Sequence, residues 1–277
     1  MRVTYISHTG FLVETETVCL LFDYWNGEVP EIPAAKPLYI FASHRHEDHF
    51  HPAIFTLPGL PEDTHWLLSY DILRDKKFYL KHPEAEPLRD AGRIESMRMD
   101  QEYEIGDLCV WPLKSTDEGV GFLVKIPAEE CLIYHAGDLN WWLWEGEPEQ
   151  RNRFYTGMFK KQVKNLAELV RQHGDSAGRD KTSGIPHLNL GFFTMDPRQE
   201  QYEFHGFDYY LQHIPVDCAF PMHCWDQYEV IDRYLELRSG AVEELLPATE
   251  DSKEADAANL PGIRVAHIRK RGEVYEV

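Results

Sequence analysis

The chain has 277 residues, of which 43% are hydrophobic, and a formal net charge of −19. This length suits one large α/β domain with a substantial core, and we expect a single domain over 1–277. The negative charge, without a basic patch to offset it, argues against nucleic acid as a partner. No apolar run has the length of a membrane span, so no membrane association is expected.

Five cysteines are scattered along the chain without a C-x-x-C pair. They do not form the pattern of a disulfide framework and favour a reducing compartment. The N-terminus begins at once as an apolar strand, so we expect no signal peptide and a cytoplasmic protein.

Short apolar or alternating runs predict strands, and runs with three-or-four spacing predict helices. The predicted order is strands followed by helices, and then strands followed by helices again. Two such halves facing each other predict a four-layer αββα sandwich. The predicted strands are 3–6, 10–14, 18–22, 38–42, 66–68, 108–111, 120–124, 131–134, 188–193 and 218–221, with a closing hairpin of 264–268 and 273–277. The predicted helices are 155–173, 198–213 and 226–238, and 70–92 is expected to be helix plus loop.

The most informative motif directly follows the predicted strand 38–42 and reads H-x-H-x-D-H. Alternate residues that leave a strand point the same way, so His44 and His46 can converge on one metal ion. Asp48 and His49 then turn towards a second ion. Imidazole nitrogen with carboxylate oxygen suits zinc, manganese or iron rather than calcium. We therefore predict one or two divalent ions, with zinc as the first choice.

Two later strands end on residues that can complete such a site. The strand 131–134 leads into Gly137-Asp138, where a carboxylate can bridge two ions, and the strand 218–221 leads into His223. Each has the strand-then-loop context of the first motif. We therefore expect all three segments to open at one sheet edge.

The order H-x-H-x-D-H, then G-D, then a late histidine resembles the metallo-β-lactamase-fold hydrolases over essentially the whole chain. The segment 6–13, ISHTGFLV, resembles the opening of the branch that contains ascorbate-phosphate lactonase. This resemblance implies the αββα fold and a dinuclear metal site. It assigns His44 and His46 to the first metal, Asp48, His49 and His223 to the second, and Asp138 to both.

The chain departs from the family pattern at one ligand of the first metal. The family usually has a histidine before the strand that leads to the Gly-Asp motif, but the region 111–122 contains none, and Lys114 or Ser115 stands in its place. Three interpretations remain open. His135 replaces the imidazole, Asp117 supplies a carboxylate, or the first site is weak or empty with Lys114 as a fixed cation. We favour His135 or a weakened site, because a protonated ammonium cannot ligate.

Other residues carry weaker hypotheses. The resemblance places His8 beside the metals, in a catalytic, substrate-contacting or supporting role, and Asp23 is expected to orient a ligand histidine. The tryptophans of 140–144 either line a pocket or pack beneath the helix 155–173. Arg198 either recognises a phosphate or carboxylate, or lies in a helix turn capped by Asp196.

The predicted function is a metal-dependent hydrolase in which Asp48 orients a water molecule that attacks a small ester, lactone or phosphoester. A phosphodiesterase or nuclease, a redox protein with two irons, and a degenerate metal- or ligand-binding protein are the alternatives. The expected partner is a small-molecule substrate, and a homo-oligomer is left open. The loops 24–36, 139–154 and 174–187 are expected to decide specificity.

Overall fold

Two mixed β-sheets lie face to face in the computed structural model, which describes residues 1–174, 185–248 and 262–277. In chain order the strands are β1 (Arg2–Ser7), β2 (Gly10–Glu14), β3 (Cys19–Phe22), β4 (Leu38–Ala42), β5 (Thr64–Ser69), β6 (Ile94–Met97), β7 (Tyr103–Ile105), β8 (Leu108–Lys114), β9 (Val120–Ile126), β10 (Cys131–His135), β11 (Leu188–Thr194), β12 (Val216–Met222), β13 (Val242–Leu245), β14 (Ile263–Ala266) and β15 (Val274–Glu276). The first sheet has the order β15-β1-β2-β3-β4-β5-β6, and the second has the order β13-β14-β12-β11-β10-β9-β8-β7.

Each sheet combines an antiparallel part with a parallel part. In the first sheet β1, β2 and β3 are antiparallel, and β3 to β6 are parallel. In the second sheet β7 to β10 are antiparallel, and β10, β11, β12 and β14 are parallel. Parallel strands end at the same edge, so each sheet gathers several loops at one edge.

Alternation of side chains along the strands produces two separate hydrophobic clusters. On β3, Leu20 and Phe22 face the cluster between the sheets. Cys19 and Leu21 of the same strand point to the opposite face, into a cluster with Ile54. Successive side chains of a strand alternate between its faces, so this sheet is covered on both sides. Such burial on both faces is typical of strands with near-continuous apolar sequence.

The helices form the outer layers. They are α1 (Tyr70–Leu73), α2 (Phe78–Lys81), α3 (Glu86–Asp90), α4 (Glu149–His173), α5 (His205–His213) and α6 (Glu229–Leu237). Helix α1 contacts β5 and β6 of the first sheet, and α4 and α5 contact β8 and β11 of the second. The predicted four-layer α/β architecture is therefore confirmed.

The predicted helix 155–173 is present, but it begins six residues earlier. Helix α4 starts at Glu149, directly after Pro148, and its buried stripe includes Phe159, Val163 and Leu166. Proline lacks a backbone N–H and is well accepted at the start of a helix but not inside it. The helix therefore begins next to Pro148.

The predicted C-terminal hairpin is wrong. β14 pairs with β12 in the second sheet, and β15 pairs with β1 in the first. Val265 and Tyr275 nevertheless bury in the same large hydrophobic cluster. The alternating pattern of 264–277 therefore predicted two strands correctly, but it could not tell which edges they extend.

The predicted loop 174–187 lies outside the described residues except for Gly174 and 185–187. Within the described ranges, no helix is both long enough and apolar enough to cross a lipid bilayer.

Candidate metal centre

The carboxyl ends of three strands and the turn between β1 and β2 bring the predicted site residues together. The H-x-H-x-D-H motif follows β4, Asp138 follows β10, His223 follows β12, and His8 lies in the turn after β1. The backbone N–H of His223 donates to the carbonyl oxygen of His8 across 3.1 Å. The expected meeting of the three segments at one sheet edge is therefore observed, although they come from two different sheets.

One cluster of potential metal ligands comprises His8, Asp48, His49 and His223. Their ligand atoms all lie within 4.8 Å of one another. Asp48 Oδ2 is 3.3 Å from His8 Nε2 and 3.7 Å from His49 Nε2. Asp48 is the most accessible member, with 20% of its side chain exposed, whereas the three histidines are buried. Solvent can therefore reach this cluster at Asp48.

A second cluster comprises His44, His46 and Asp138, again with ligand atoms within 4.8 Å of one another. His44 Nε2 lies 2.9 Å from His46 Nδ1 and 3.5 Å from Asp138 Oδ2. His44 is buried, whereas 43% of the His46 side chain is exposed. This cluster has one member fewer than the first, at the position where the family pattern led us to expect an imidazole.

The carboxylate of Asp138 faces both clusters with different oxygen atoms. Its Oδ1 lies 3.1 Å from His49 Nε2 and 3.3 Å from His223 Nε2. Its Oδ2 lies on the His44 side. One carboxylate placed in this way can bridge two cations.

Several buried nitrogen and oxygen atoms of the clusters lack hydrogen-bond partners in the protein and could instead bind a metal ion. Within the described residues, both ring nitrogens of His8, Nε2 of His49 and Oδ1 of Asp138 have no hydrogen-bond partner of good geometry. Leaving such groups buried without partners costs about 1–3 kcal/mol each. Imidazole and carboxylate are donors that suit zinc, iron or manganese. The donor set therefore fits a divalent transition-metal ion.

Electrostatics keeps these side chains in the forms that ligate. Burial would raise the pKa of Asp138, but the neighbouring imidazoles, His49 first among them, hold it well below its usual range. Burial also opposes ionisation of Asp48, yet the contact with His8 and the charge of His49 hold its pKa low. Burial lowers the pKa of His44 to about 3 and that of His8 to about 4. At neutral pH the carboxylates are charged and these two imidazoles are neutral, as ligation requires.

His49 behaves differently from the other histidines. Its burial favours the neutral ring, but Asp138 and Asp23 lie on opposite sides and raise its pKa well above the ordinary value. A protonated His49 thus balances two buried carboxylates when no cation is bound. Binding of a cation would replace this proton, so metal affinity should rise with pH.

Two carboxylates outside the clusters orient the ligand histidines. Asp23 Oδ2 accepts from Nδ1 of His49 at 2.8 Å, and its two oxygens also accept from the backbone N–H and the hydroxyl of Ser43 at 2.7 Å. Asp196 Oδ2 lies 3.0 Å from Nδ1 of His223. Such contacts fix the tautomer, so that the other nitrogen, Nε2, faces the cluster. The contact predicted for Asp23 is present, whereas Asp196, expected only as a helix cap, contacts a ligand histidine as well.

Two glycines allow the loops to approach the motif closely. A Cβ atom on Gly119 would lie 2.0 Å from the carbonyl oxygen of Ser43 and 2.5 Å from Cβ of His44. A Cβ atom on Gly137 would lie 2.7 Å from Cβ of Ser43. Both glycines also have a positive φ, +65° and +53°. Glycine at these positions is required by space as well as by backbone conformation.

The structure does not bring His135 into either cluster. Its Nε2 donates to the carbonyl oxygen of Thr9 at 2.9 Å, and its Nδ1 accepts from the backbone N–H of Gly137 at 3.2 Å. Its ring stacks on Phe22 in the core. Both nitrogens are thus used inside the fold, which corrects the expectation that His135 replaces the missing imidazole. The reason is its position on β10, where its side chain points between the sheets.

Cys224 also lies outside both clusters. Lys114 is exposed at the end of β8, opposite Val120, so the interpretation in which its ammonium occupies the first metal position finds no support. Cys224 is buried in the larger hydrophobic cluster, where it packs as a core residue.

Aromatic rings surround the His8–His223 side of the site. Trp225 lies 4.5 Å and Trp25 lies 6.0 Å from His8 between ring centres, and Trp142 lies 5.8 Å from His223. Trp141, in contrast, packs against Phe159 of α4. Both interpretations of the 140–144 tryptophans thus hold, one for Trp142 and the other for Trp141. No sequence pattern indicated that Trp25 and Trp225 also lie at this site.

Arg198 lies beside this aromatic wall. Its backbone N–H donates to Asp196 Oδ1 at 2.9 Å, and its guanidinium pairs with the same carboxylate. The guanidinium also lies 4.5 Å from the centre of the Trp225 ring, and 46% of the side chain is exposed. Asp196 therefore caps the turn, as one interpretation held, while Arg198 remains accessible near the site.

Unusual backbone conformations concentrate at the same place. Among the non-glycine residues with positive φ are His8 (49°), Asp23 (42°), His223 (69°), Trp225 (52°) and Asp226 (56°). Such conformations cost energy and persist where the surroundings enforce them, often at functional sites. Their clustering here is independent support for a site at this edge.

Solved structures with the same fold come from proteins with different names. Igni18, a metallo hydrolase from the archaeon Ignicoccus hospitalis, aligns over 100% of this chain and 98% of its own, with a TM-score of 0.54 and 13% identity. A mutant of the CmlA β-hydroxylase aligns over 100% of this chain and 54% of its own, with a TM-score of 0.52 and 12% identity. At such identities the likeness shows the fold alone, and it supports the metallo-β-lactamase architecture.

Sequence relatives carry a more specific name. A protein named UPF0173 metal-dependent hydrolase from Pyrobaculum calidifontis is 30% identical over 154 residues, which are 50% of this chain and 61% of that relative. One of the same name from Salinibacter ruber is 29% identical over 99 residues, which are 34% of this chain and 43% of that relative. The matched regions thus span about half the length of these curated relatives.

A family model described as the β-lactamase superfamily domain matches residues 2–153, which is more than half of the chain. The matched segment contains His8, the H-x-H-x-D-H motif and Asp138, and His223 lies beyond it. This chain belongs to the β-lactamase superfamily domain family.

Proposed function

We propose that this protein is a metal-dependent hydrolase that acts on a small ester, lactone or phosphoester. The single observation that carries this proposal is Asp138, whose two carboxylate oxygens face two separate clusters of histidines and carboxylates. The names of the sequence relatives, UPF0173 metal-dependent hydrolase, agree with it. Zinc, manganese and iron all suit the donor atoms, and zinc is our first choice.

The proposed ligands divide between two ions. His44, His46 and Asp138 would hold one, and Asp48, His49, His223 and Asp138 would hold the other, with His8 close enough to join the second set. A bound divalent cation lowers the pKa of water towards neutrality and polarises the bond that is cleaved.

Asp48 is the candidate for proton transfer. It is the member of its cluster that solvent reaches, and it is ionised at neutral pH because its pKa is held low despite burial. An ionised carboxylate at this place can orient a water molecule, accept its proton and pass the proton to the leaving group. His8, 3.3 Å from Asp48, keeps that carboxylate in place.

The surroundings suit a small substrate. Trp25, Trp142 and Trp225 form apolar walls beside His8 and His223. The accessible guanidinium of Arg198 offers a cation to a carboxylate or phosphate group of the substrate. A lactone with an anionic substituent, of the kind suggested by the resemblance of 6–13, is one substrate that fits these walls. The charge of −19 disfavours long nucleic acids as substrates.

The test is an activity screen of metal-free protein reloaded with zinc, manganese or iron, against lactones, phosphodiesters and acyl esters. Hydrolysis should require metal, and Asp48→Asn should lower kcat by about 100-fold or more. Glu47→Gln is the matched control, because Glu47 is the neighbouring, exposed carboxylate and lies outside both clusters. An Asp48→Asn variant with full activity would contradict the assignment. Metal binding without hydrolysis of any substrate class would favour a binding protein.

A further inference from the structure

The cluster of His44, His46 and Asp138 lacks the third imidazole of the family pattern, and several neighbouring residues lie near enough to replace it. Ser115 and Thr116 are buried and already engaged. Ser115 accepts the backbone N–H of Asp117 at 3.1 Å, and the Thr116 hydroxyl donates to the carbonyl oxygen of Asn140 at 2.7 Å. These contacts build the loop between β8 and β9 and leave neither hydroxyl directed at His44 or His46.

Glu118 is near His46 but is committed elsewhere. Its Oε2 lies 3.8 Å from His46 Nε2, yet both of its oxygens accept from the guanidinium of Arg45 at 2.6 and 2.7 Å. A bidentate ion pair with arginine neutralises the carboxylate and holds its orientation. His135 is excluded by its own hydrogen bonds to Thr9 and Gly137.

Asp117 is the carboxylate that remains. Its Oδ2 lies 3.9 Å from Nδ1 of His46, but Asp117 is not among the residues whose ligand atoms all lie within 4.8 Å of one another, so a change of rotamer is needed to bring it into the cluster. Within the described residues, no hydrogen bond to its carboxylate is found. The hydrogen bond of Asp117 to Ser115 uses its backbone N–H. The side chain is 47% exposed, so it can change rotamer without disturbing the core. It lies in the loop that follows β8, two or three residues after Ser115 or Lys114, one of which stands at the position of the family's histidine.

We propose that Asp117 supplies the missing ligand of the ion held by His44, His46 and Asp138. This inference rests on the proposed function in so far as that function requires a metal at this cluster. The resulting set has two imidazoles and two carboxylates, where the family pattern has three imidazoles and one carboxylate. Carboxylate oxygens favour harder ions, and imidazole nitrogens favour zinc. We therefore expect this site to prefer Zn²⁺ over Mn²⁺ or Fe²⁺ by less than a site with three imidazoles would.

The experiment is a Mn²⁺ titration of the metal-free full chain, with free ion counted by electron paramagnetic resonance and heats by calorimetry. Wild-type protein should bind two equivalents. Asp117→Asn should weaken one of them by at least 10-fold and leave the other unchanged, and the retained equivalent shows that the variant is folded. Glu118→Gln is the matched control and should bind like wild type. Asp117→His should raise the affinity of the weaker site for Zn²⁺, because it restores the third imidazole.

Three results would overturn the proposal. In the first, Asp117→Asn binds both equivalents of Mn²⁺ with wild-type affinity. In the second, Glu118→Gln weakens one equivalent as much as Asp117→Asn does. In the third, the wild-type protein binds only one equivalent. None of these readouts depends on a substrate. A failed activity screen with Asp117-dependent binding of two equivalents would reject the hydrolase function and keep the ligand assignment. If the protein hydrolyses a substrate but Asp117→Asn leaves metal binding unchanged, the hydrolase function is kept and the ligand assignment of Asp117 is rejected.

Discussion

Asp196 Oδ2 lies 3.0 Å from Nδ1 of His223 and also accepts from the guanidinium of Arg198. One fully buried carboxylate therefore orients a candidate metal ligand and holds a candidate substrate-binding cation. Burial opposes its ionisation, but the contacts with His223 and Arg198 keep the pKa of Asp196 below its ordinary value. This arrangement links ligand geometry and substrate recognition through a single side chain.

We expect Asp196→Asn to weaken metal binding by about 10–100-fold, since removing an outer carboxylate from a ligand histidine typically has this effect. The affinity of apo protein for Zn²⁺, measured by competition with a chelator, checks it. Asp208→Asn is the control, because Asp208 also pairs with an arginine, Arg238, but lies outside the clusters. If Asp196→Asn and Asp208→Asn bind Zn²⁺ with equal affinity, Asp196 only caps the turn at 197–202 and does not support the metal ligand.

Gly119→Ala should destabilise the protein strongly and weaken metal binding as well. The added Cβ would meet the carbonyl oxygen of Ser43 at 2.0 Å, so the H-x-H-x-D-H loop must move. We expect a loss of about 3 kcal/mol or more in the free energy of unfolding, as for other strained or overpacked positions. Urea denaturation measures it.

Gly92→Ala separates backbone strain from the steric clash. Gly92 has nearly the same φ, +68°, but a Cβ there would have nothing within 4 Å. Its loss should therefore be about 1–2 kcal/mol, the cost of a left-handed residue alone. A Gly119→Ala variant no less stable than Gly92→Ala would show that the close approach to Ser43 is unimportant.

His135→Gln should leave the number of bound metal ions unchanged while it lowers stability. The ring donates to Thr9 and accepts from Gly137 inside the core, and burial lowers its pKa, so it is neutral. Loss of these contacts should cost about 1–3 kcal/mol. Metal analysis of the purified variant, together with urea denaturation, is the measurement. A missing equivalent of metal would restore His135 as a ligand.

Glu129 offers a test of pH-dependent stability away from the metal centre. Burial opposes ionisation of Glu129, but hydrogen bonds from Thr17 and Thr15 lower its pKa below the ordinary value of 4.5. A carboxylate with a depressed pKa contributes stability above its unfolded-state pKa, and this contribution is lost as pH falls through the folded pKa. Glu129→Gln should therefore cost about 1 kcal/mol at pH 7, with a smaller difference from wild type below about pH 4.

The measurement is urea denaturation of both proteins at several pH values between 3.5 and 7, a range that brackets the ordinary carboxylate pKa of about 4.3. Glu130→Gln is the control, because Glu130 is the exposed neighbour of Glu129. If the difference in the free energy of unfolding between wild type and Glu129→Gln stays constant with pH, Glu129 has the same pKa in the folded and unfolded states.

Periodicity in the sequence predicted the layers well and the strand pairing poorly. Alternation and three-or-four spacing depend on which face of an element is buried, and that is a local property. Partners in a sheet are chosen by contacts between distant segments. For this reason the strands near 264–268 and 273–277 were located correctly but were paired with each other, whereas they extend different sheets.

The candidate site shows the same division. The spacing of His44, His46, Asp48 and His49 already indicated metal chemistry, because those donor types leave a strand end in a fixed relation to each other. The roles of His135, Asp117 and Asp196 depended on the tertiary structure. His135 hydrogen-bonds within the core, Asp117 comes near His46 through a loop, and Asp196 reaches His223 from another strand. Contacts between segments far apart in the chain decide such roles, and no local pattern records them.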